Sequence, residues 1–282
     1  MTRLASSGLG LGLFATVCGA VPAFAQTTEL AMTLPPTSEA VPLPMGLSHA
    51  EVLDGWQTKS GTRMAAIRIT LDAGWKTYWR HPGDAGIPPS FNFKASSNLK
   101  DVKIYWPRPQ VFMESGTRSI GYKDQMILPI ELMPEDASQP IQLEADLDLG
   151  ICHDICIPVS LDLAADLEGK GAQDAVITQA LAAQPKKVPS TARCTIAPIR
   201  DGVRVTAQLP SDAAPDQVAL FELPSQPVWV SDSQMSHQGN TLSATADLVP
   251  PNSEPFDLDP KDLRITVLDK THAYEMDGCA RM

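Results

Sequence analysis

Apolar and polar residues alternate along much of the chain with a period of two, the pattern of β-strands that bury one face. The alternation is clearest on both sides of the segment LGICHDICIP, residues 149–158, where the odd-numbered positions are apolar. We therefore predict two strands joined by the three-residue loop His153-Asp154-Ile155. In such a hairpin Cys152 and Cys156 lie opposite each other, on the face directed away from the core.

Further short strand patterns begin at about Glu51 and are separated by Gly, Pro, Asn and Asp. The clearest in the first part of the chain are RMAAIRITL, GWKTYWR, SFNFKA, DVKIYWP and QMILPIEL. The segment 172–184 has helical spacing and is followed by PKKVPS, which is typical of a linker. Strand patterns then resume, and Asp201-Gly202 between two alternating runs predicts a hairpin.

Several short strands at this spacing predict an all-β protein built from two β-sandwich domains, which a short helix and a linker connect. The expected boundaries follow from the linkers: a signal peptide at 1–25, an extended leader at 26–44, the first sandwich at 45–168, the helix and linker at 169–189, and the second sandwich at 190–282.

The N-terminal residues have the pattern of a secretory signal peptide. Arg3 precedes an apolar run from Leu9 to Ala20, and Ala23-Phe24-Ala25 predicts cleavage after Ala25. The alternative, a membrane anchor, needs about 20 unbroken apolar residues. This run is shorter and ends near Pro22, and no later stretch is apolar enough to span a bilayer. We therefore expect an exported, periplasmic chain that does not insert into the membrane.

The charge balance excludes two classes of partner. The chain has 22 basic and 33 acidic residues, with a formal net charge of −11. An acidic surface of this kind argues against binding to nucleic acid or to anionic membranes. The acidic residues are spread along the chain, which is typical of a solvated surface.

Four cysteines follow the signal segment, namely Cys152, Cys156, Cys194 and Cys279. An even number in an oxidising compartment suggests two disulfides, and sequence position favours Cys152–Cys156 and Cys194–Cys279 among three possible pairings. The second bond closes a loop of about 86 residues and would stabilise the fold by about 4.5 kcal/mol, which favours a structural disulfide. A second redox couple is the alternative for this pair.

The Cys152–Cys156 pair has three possible roles. A bond that closes five residues stabilises a fold by only about 2 kcal/mol, and strained, exposed disulfides are the labile ones, which favours a redox couple over a structural bond. A Cu(I) site formed by Cys152, His153 and Cys156, with Met113, is the metal alternative. A protonated His153 would favour a thiolate and Asp154 would oppose it, unless both are ordinary loop residues.

Three segments in this order, GWKTYWRHPGDAGIPPSF, WPRPQVFMESGTRSIGYKDQMILPI and LDLGICHDICIP, resemble the periplasmic N-terminal domain of the thiol:disulfide interchange protein DsbD. They are more similar still to its relatives of the ScsB type (suppressor of copper sensitivity), over roughly residues 45–165. The resemblance implies an immunoglobulin-like domain without a cofactor. Its cysteine pair would take electrons from a membrane-embedded thiol transporter and pass them to periplasmic thioredoxin-like oxidoreductases.

The resemblance also implies roles for particular residues. Cys156 would form the mixed disulfide with the partner, and Cys152 would resolve it. A loop from Pro109 to Ile120 would cover the pair. The supporting side chains would be Phe112 as the cap, Tyr122 beside it, and Tyr78, Trp79 and Arg80 on the strand next to the cysteines. Trp79 and Tyr122 are equally compatible with an ordinary sandwich core.

Two features depart from DsbD. DsbD spaces its cysteines more widely than the CxxxC here, so the turn between them is expected to differ. The chain also shows no transmembrane or thioredoxin-like segment, so we expect a free-standing thiol–disulfide oxidoreductase or relay module whose electron donor and acceptor are other proteins. A copper-binding protein and a non-redox adhesion module are the rival interpretations.

Overall fold

A computed structural model describes residues 43–83, 86–114, 116–210 and 216–282. The predicted signal peptide, its cleavage site after Ala25 and the predicted leader up to residue 42 lie outside the described residues. Within the described ranges, no helix combines the length and the apolar character needed to cross a membrane. Residues 42–282 cluster as one compact unit, so the boundary predicted between the two domains remains a prediction.

Within the described residues, ten strands precede the helix and form two sheets. They are β1 (Leu47–Gln57), β2 (Arg63–Leu71), β3 (Lys76–Tyr78), β4 (Ser90–Asn92), β5 (Leu99–Ile104), β6 (Gln110–Glu114), β7 (Thr117–Lys123), β8 (Gln125–Pro134), β9 (Ile141–Cys152) and β10 (Cys156–Leu167). One sheet has the order β1-β2-β8-β5. The other has the order β10-β9-β3-β7-β6, and β4 also pairs with β9.

These two sheets pack face to face around one core. Ile67 and Ile69 of β2 are fully buried against the opposite sheet, which contributes Leu147 and Leu149 of β9. Burial along β9 alternates with a period of two up to Leu149, as the alternation of apolar and polar residues predicted. The hydrophobic pattern therefore fixes which face of β9 lies on the core and which face carries the cysteines.

The helix α1 spans Ala175–Ala182 and is shorter than the predicted 172–184. It begins where it does because Asp174 is its N-cap, with Oδ1 accepting hydrogen bonds from the backbone N–H groups of Val176 (2.6 Å) and Ile177 (3.1 Å). The fully buried Ile177 packs with residues of β2. The helix therefore closes one side of the first sandwich as well as connecting the two halves.

After the helix, the part of the chain that the structure describes contains ten strands and one 3₁₀ helix (Pro260–Asp262). The strands are β11 (Lys186–Lys187), β12 (Arg193–Ile199), β13 (Gly202–Pro210), β14 (Val218–Glu222), β15 (Trp229–Val230), β16 (Gln234–Gln238), β17 (Thr241–Val249), β18 (Arg264–Leu268), β19 (Ala273–Asp277) and β20 (Ala280–Arg281). They form a sheet of order β11-β19-β18-β14 and a sheet of order β15-β17-β13-β12-β20, with β16 on β17. The predicted linker thus contributes the short strand β11.

Two sequence predictions for this half are confirmed by its geometry. Ile199 pairs with Gly202, so β12 and β13 form the hairpin that Asp201-Gly202 predicted. Cys194 of β12 is bonded to Cys279, with 5.9 Å between their Cα atoms. This disulfide ties the first long strand of the second sandwich to the segment that follows β19.

The two sandwiches share an interface. Four buried residues of the second sandwich belong to the core cluster of the first, namely Val218, Leu220, Leu268 and Ala273. Next to them, the guanidinium of Arg80 binds Glu222 through two hydrogen bonds of 2.7 and 2.9 Å, and Glu275 at 2.5 Å. The all-β class, with one short helix between two sandwiches, is confirmed.

Candidate redox site

The hairpin of β9 and β10 holds the two cysteines in contact. β9 ends at Cys152 and β10 begins at Cys156, and these residues pair directly across the hairpin. Their Cα atoms are 4.2 Å apart and their sulfurs are bonded. The predicted loop of three residues, His153-Asp154-Ile155, is confirmed. A disulfide at the tip of a hairpin is therefore built into the edge of the six-stranded sheet.

The two cysteines differ in accessibility, which alternation alone did not predict. Cys156 is exposed, but only 1% of Cys152 is accessible, although it lies on the face away from the core. Tyr78 and Ile87 cover this part of β9. A Cβ added at Gly150 would lie 2.7 Å from the Cβ of Ile87 and 3.0 Å from the ring of Tyr78. The expectation of two solvent-facing cysteines is therefore wrong for Cys152.

Tyr78 contacts the disulfide directly. Its hydroxyl oxygen lies 2.8 Å from Sγ of Cys152 and 3.1 Å from Sγ of Cys156. Because a disulfide sulfur carries no hydrogen, the hydroxyl is the donor. Burial, and secondarily the charge of Glu114, raise the pKa of Tyr78 above its ordinary value. The phenol therefore keeps its proton and can donate a hydrogen bond to a thiolate on either cysteine.

Lys76 lies beside the disulfide on the same face of the sheet. It pairs with Cys152 across β3 and β9, and only 7% of its side chain is accessible. Its ammonium forms an ion pair with Glu114 and lies 5.4 Å from the centre of the Phe112 ring. The site thus contains a buried positive charge that the sequence analysis did not single out.

The segment expected to cap the pair is a β-hairpin. Phe112 of β6 pairs with Ser119 of β7, so these strands replace the loop predicted from Pro109 to Ile120. Phe112 contacts the ammonium of Lys76, whereas the side chain that contacts both sulfurs is Tyr78. The hairpin therefore reaches the site through its tip, where Glu114 binds Lys76.

Trp79 and Tyr122 point into the sandwich. Trp79 is fully buried in the core, and the Arg80 guanidinium lies 4.1 Å from the centre of its ring. Tyr122 is also in the core, where its hydroxyl donates a 2.8 Å hydrogen bond to the carbonyl of Pro107 and burial raises its pKa well above the ordinary value. These placements match the core alternative for both residues.

The loop residues border a cavity beside the disulfide. His153 is 45% exposed, its Nδ1 lies 3.0 Å from Oδ2 of Asp154, and its ring centre lies 5.9 Å from that of Trp75. A cavity of about 420 Å³ is lined by Gly74, Lys76, Glu114, His153 and Asp154. Polar groups of both signs therefore surround an open space next to the sulfurs.

Met113, named above as a further Cu(I) ligand, lies elsewhere. Side chains alternate along β6, so Met113 points to the face opposite Phe112, and it is 61% exposed. It lines a separate cleft of about 590 Å³ with Met235 of the second sandwich. Among the described residues, no group of three or more His, Cys, Asp or Glu side chains is arranged to hold a metal ion.

Fold and site together define a β-sandwich with a disulfide at a hairpin tip, in which one cysteine is exposed, the other is buried, and a phenol contacts both sulfurs. The comparison with families finds a match for the first sandwich. Residues 49–167 match the family described as thiol:disulfide interchange protein DsbD, N-terminal. The resemblance of this segment to the DsbD N-terminal domain, and with it an immunoglobulin-like first sandwich, is confirmed.

Solved structures extend the comparison to both sandwiches. The N-terminal periplasmic domain of ScsB from Proteus mirabilis matches with a TM-score of 0.61 and 24% identity, over 83% of this chain and 91% of that chain. Two marsupial T cell receptor structures match at 11% and 10% identity with a TM-score of 0.19, covering 85% and 84% of this chain and 99% and 62% of theirs. At that score they carry no argument. No curated protein matched.

Proposed function

We propose that the protein is a periplasmic thiol–disulfide exchange module whose working group is the Cys152–Cys156 couple. It would relay electrons between a membrane-embedded thiol transporter and periplasmic thioredoxin-like proteins. The observation that carries the proposal is the unequal exposure of one short disulfide, with Cys156 exposed and Cys152 buried under Tyr78. The match of residues 49–167 to the DsbD N-terminal family supports the same chemistry.

The exchange begins at the accessible sulfur. A partner thiolate attacks Sγ of Cys156, a mixed disulfide forms, and the Cys152–Cys156 bond breaks. Cys152 leaves with the bonding electron pair as a thiolate, and the hydroxyl of Tyr78, 2.8 Å from this sulfur in the disulfide form, is placed to stabilise it. The second thiol of the partner then attacks the mixed disulfide, so that the partner is oxidised and both cysteines are reduced.

The reverse sequence passes the two electrons on. The Cys156 thiolate attacks the disulfide of an acceptor, and Cys152 attacks Cys156 to release the reduced acceptor. No cofactor takes part in either direction, because the two sulfurs carry the electrons. The equilibrium position depends on the reduction potentials of the two partners relative to that of this couple.

Trapping tests this function. The Cys152→Ser protein lacks the resolving thiol, so on isolation from its own periplasm it should carry a mixed disulfide at Cys156 that a reductant releases. The Cys156→Ser protein is the matched control, and the burial of its remaining thiol should leave several-fold less complex. Equal trapping by both variants, or none by either, would contradict the proposal.

A further inference from the structure

Lys76 occupies an unusual position for a lysine. It is the cross-strand neighbour of Cys152 on one side and of Lys123 on the other, and its side chain is only 7% accessible. Burial of an ammonium costs several kcal/mol unless the charge is paired. Its partner is Glu114, which is 59% exposed at the tip of the β6–β7 hairpin. The buried charge on the cross-strand neighbour of Cys152 is thus balanced by a residue on a separate element.

The charged groups around Lys76 define the local field. Glu114, His153 and Asp154 line the same cavity, and Tyr78 lies two residues further along β3 on the same face. Lys123, the neighbour on β7, is exposed. A carboxylate and an ammonium within ion-pair distance largely cancel at the position of a nearby sulfur. The bound Glu114 therefore masks the charge of Lys76 while the disulfide is intact.

We propose that Lys76 stabilises the thiolate that forms on Cys152 during exchange, and that Glu114 neutralises Lys76 until a docking partner displaces the hairpin tip. The inference rests on the proposed function and adds a control to it. When the partner thiolate bonds to Sγ of Cys156, the electron pair of the broken bond stays on Sγ of Cys152. No proton and no reactant other than the partner dithiol is needed for this step.

With this arrangement, access to the Cys152–Cys156 disulfide and its reactivity toward thiols would change together. A lower pKa makes a thiol a faster leaving group, and an opposite charge close by lowers a thiol pKa by about one unit or more. Displacing Glu114 would expose the cavity beside the disulfide and unmask the ammonium in one movement. Unrelated thiols that do not displace the tip would attack a disulfide whose leaving thiol has a higher pKa, so they would react more slowly.

The thiol pKa of Cys152 is the direct measurement. In the Cys156→Ser background it is followed by the ultraviolet absorbance of the thiolate against pH, with the Cys152→Ser/Cys156→Ser protein as the baseline. Lys76→Met should raise this pKa by about one unit, whereas Glu114→Gln should lower it. In the intact couple, reduction by dithiothreitol should slow about threefold with Lys76→Met, taking a Brønsted coefficient of about 0.4–0.5 for the leaving thiol, and should accelerate with Glu114→Gln.

Three further variants separate this role from a merely structural ion pair. Lys76→Arg keeps the charge, so its Cys152 pKa and its rate of reduction by dithiothreitol should both match those of the parent protein. Lys123→Met removes the exposed lysine that pairs with Lys76 across β3 and β7, and it should change neither the pKa of Cys152 nor the rate of reduction. In the Lys76→Met background, Glu114→Gln should return the pKa of Cys152 toward that of the parent protein, because the unpaired carboxylate that raises it is gone. Since Glu114 is largely exposed, its variant tests the proposal even if Lys76→Met folds poorly.

The inference is overturned if Lys76→Met and Glu114→Gln shift the pKa in the same direction, or if Lys123→Met matches Lys76→Met. The proposed function fails in a different way. In that case Cys156 traps no partner, whatever residue stands at position 76. If Cys156 traps partners normally but Lys76→Met leaves the pKa of Cys152 unchanged, only the inference is rejected.

Discussion

The hydroxyl oxygen of Tyr78 lies 2.8 Å from Sγ of Cys152. Both residues are buried, although Cys152 lies on the face of the sheet directed away from the core. The contact joins β3, which ends at Tyr78, to β9, which ends at Cys152, 74 residues later. Its consequence is chemical, because a phenol that keeps its proton stabilises a thiolate more than it stabilises a disulfide. The contact therefore favours the reduced form of the couple.

Replacing Tyr78 with Phe should lower the reduction potential of the couple. A hydrogen bond to a charged group contributes about 1.5–3 kcal/mol, and 1.4 kcal/mol corresponds to about 30 mV for a two-electron couple, so we expect a fall of about 30–60 mV. Equilibration with glutathione buffers and alkylation of free thiols measure it. Tyr105→Phe, which removes a hydroxyl bonded to Glu131 in the other sheet, is the control and should leave the potential unchanged.

The two disulfides should differ in their effect on folding. Replacing Cys194 and Cys279 with Ala opens a long loop and should lower the free energy of unfolding by about 4.5 kcal/mol. Replacing Cys152 and Cys156 with Ser opens a five-residue loop and should cost about 2 kcal/mol. Urea unfolding of both variants and the parent protein measures the difference. Equal losses would contradict the assignment of Cys194–Cys279 as the structural bond.

Local patterns predicted the hairpin that carries the chemistry. The period-two alternation in β9 and the three residues between the cysteines lie within one short stretch, so the register needed no distant contact. Cys152 departs from the prediction because Tyr78 contacts its sulfur from a strand 74 residues earlier, and Ile87 covers Gly150 of the same strand. Alternation identifies the face of a strand but not what covers that face.

Lys76 and Glu114 were missed for the same reason. Nothing within GWKTYWR shows that its lysine pairs with Cys152, because that register is set by packing between distant strands. The stretch from Pro109 to Ile120 was expected to be a loop because the resemblance to the DsbD domain implied one, but its residues pair as β6 and β7. Its pairing with β3 depends on the sheet as a whole.

The ion pairs between the sandwiches give a prediction about stability. Burial alone would lower the pKa of Arg80, but its hydrogen bonds and ion pairs with Glu222 and Glu275 raise it above the ordinary value. Arg80→Met leaves two buried carboxylates with less compensation and should cost about 3 kcal/mol. Arg204→Met is the control, since Arg204 binds Asp247 in the same bidentate way at an exposed site.

Urea unfolding distinguishes the two arginines. The loss for Arg204→Met should be clearly smaller, because exposed ion pairs are screened by water and salt. A loss for Arg80→Met no larger than that for Arg204→Met would show that the interface between the sandwiches does not depend on these charges.

Exchange through Cys152–Cys156 requires a disulfide that partner thiols can reduce, and the reduction potential of the couple measures this property. The full chain is equilibrated in redox buffers of graded potential, and free thiols are alkylated and located by mass spectrometry. We predict reversible reduction of Cys152 and Cys156 at a potential above about −300 mV, with Cys194–Cys279 still bonded. A potential for Cys152–Cys156 below about −300 mV, in the range of inert structural disulfides, would contradict the account.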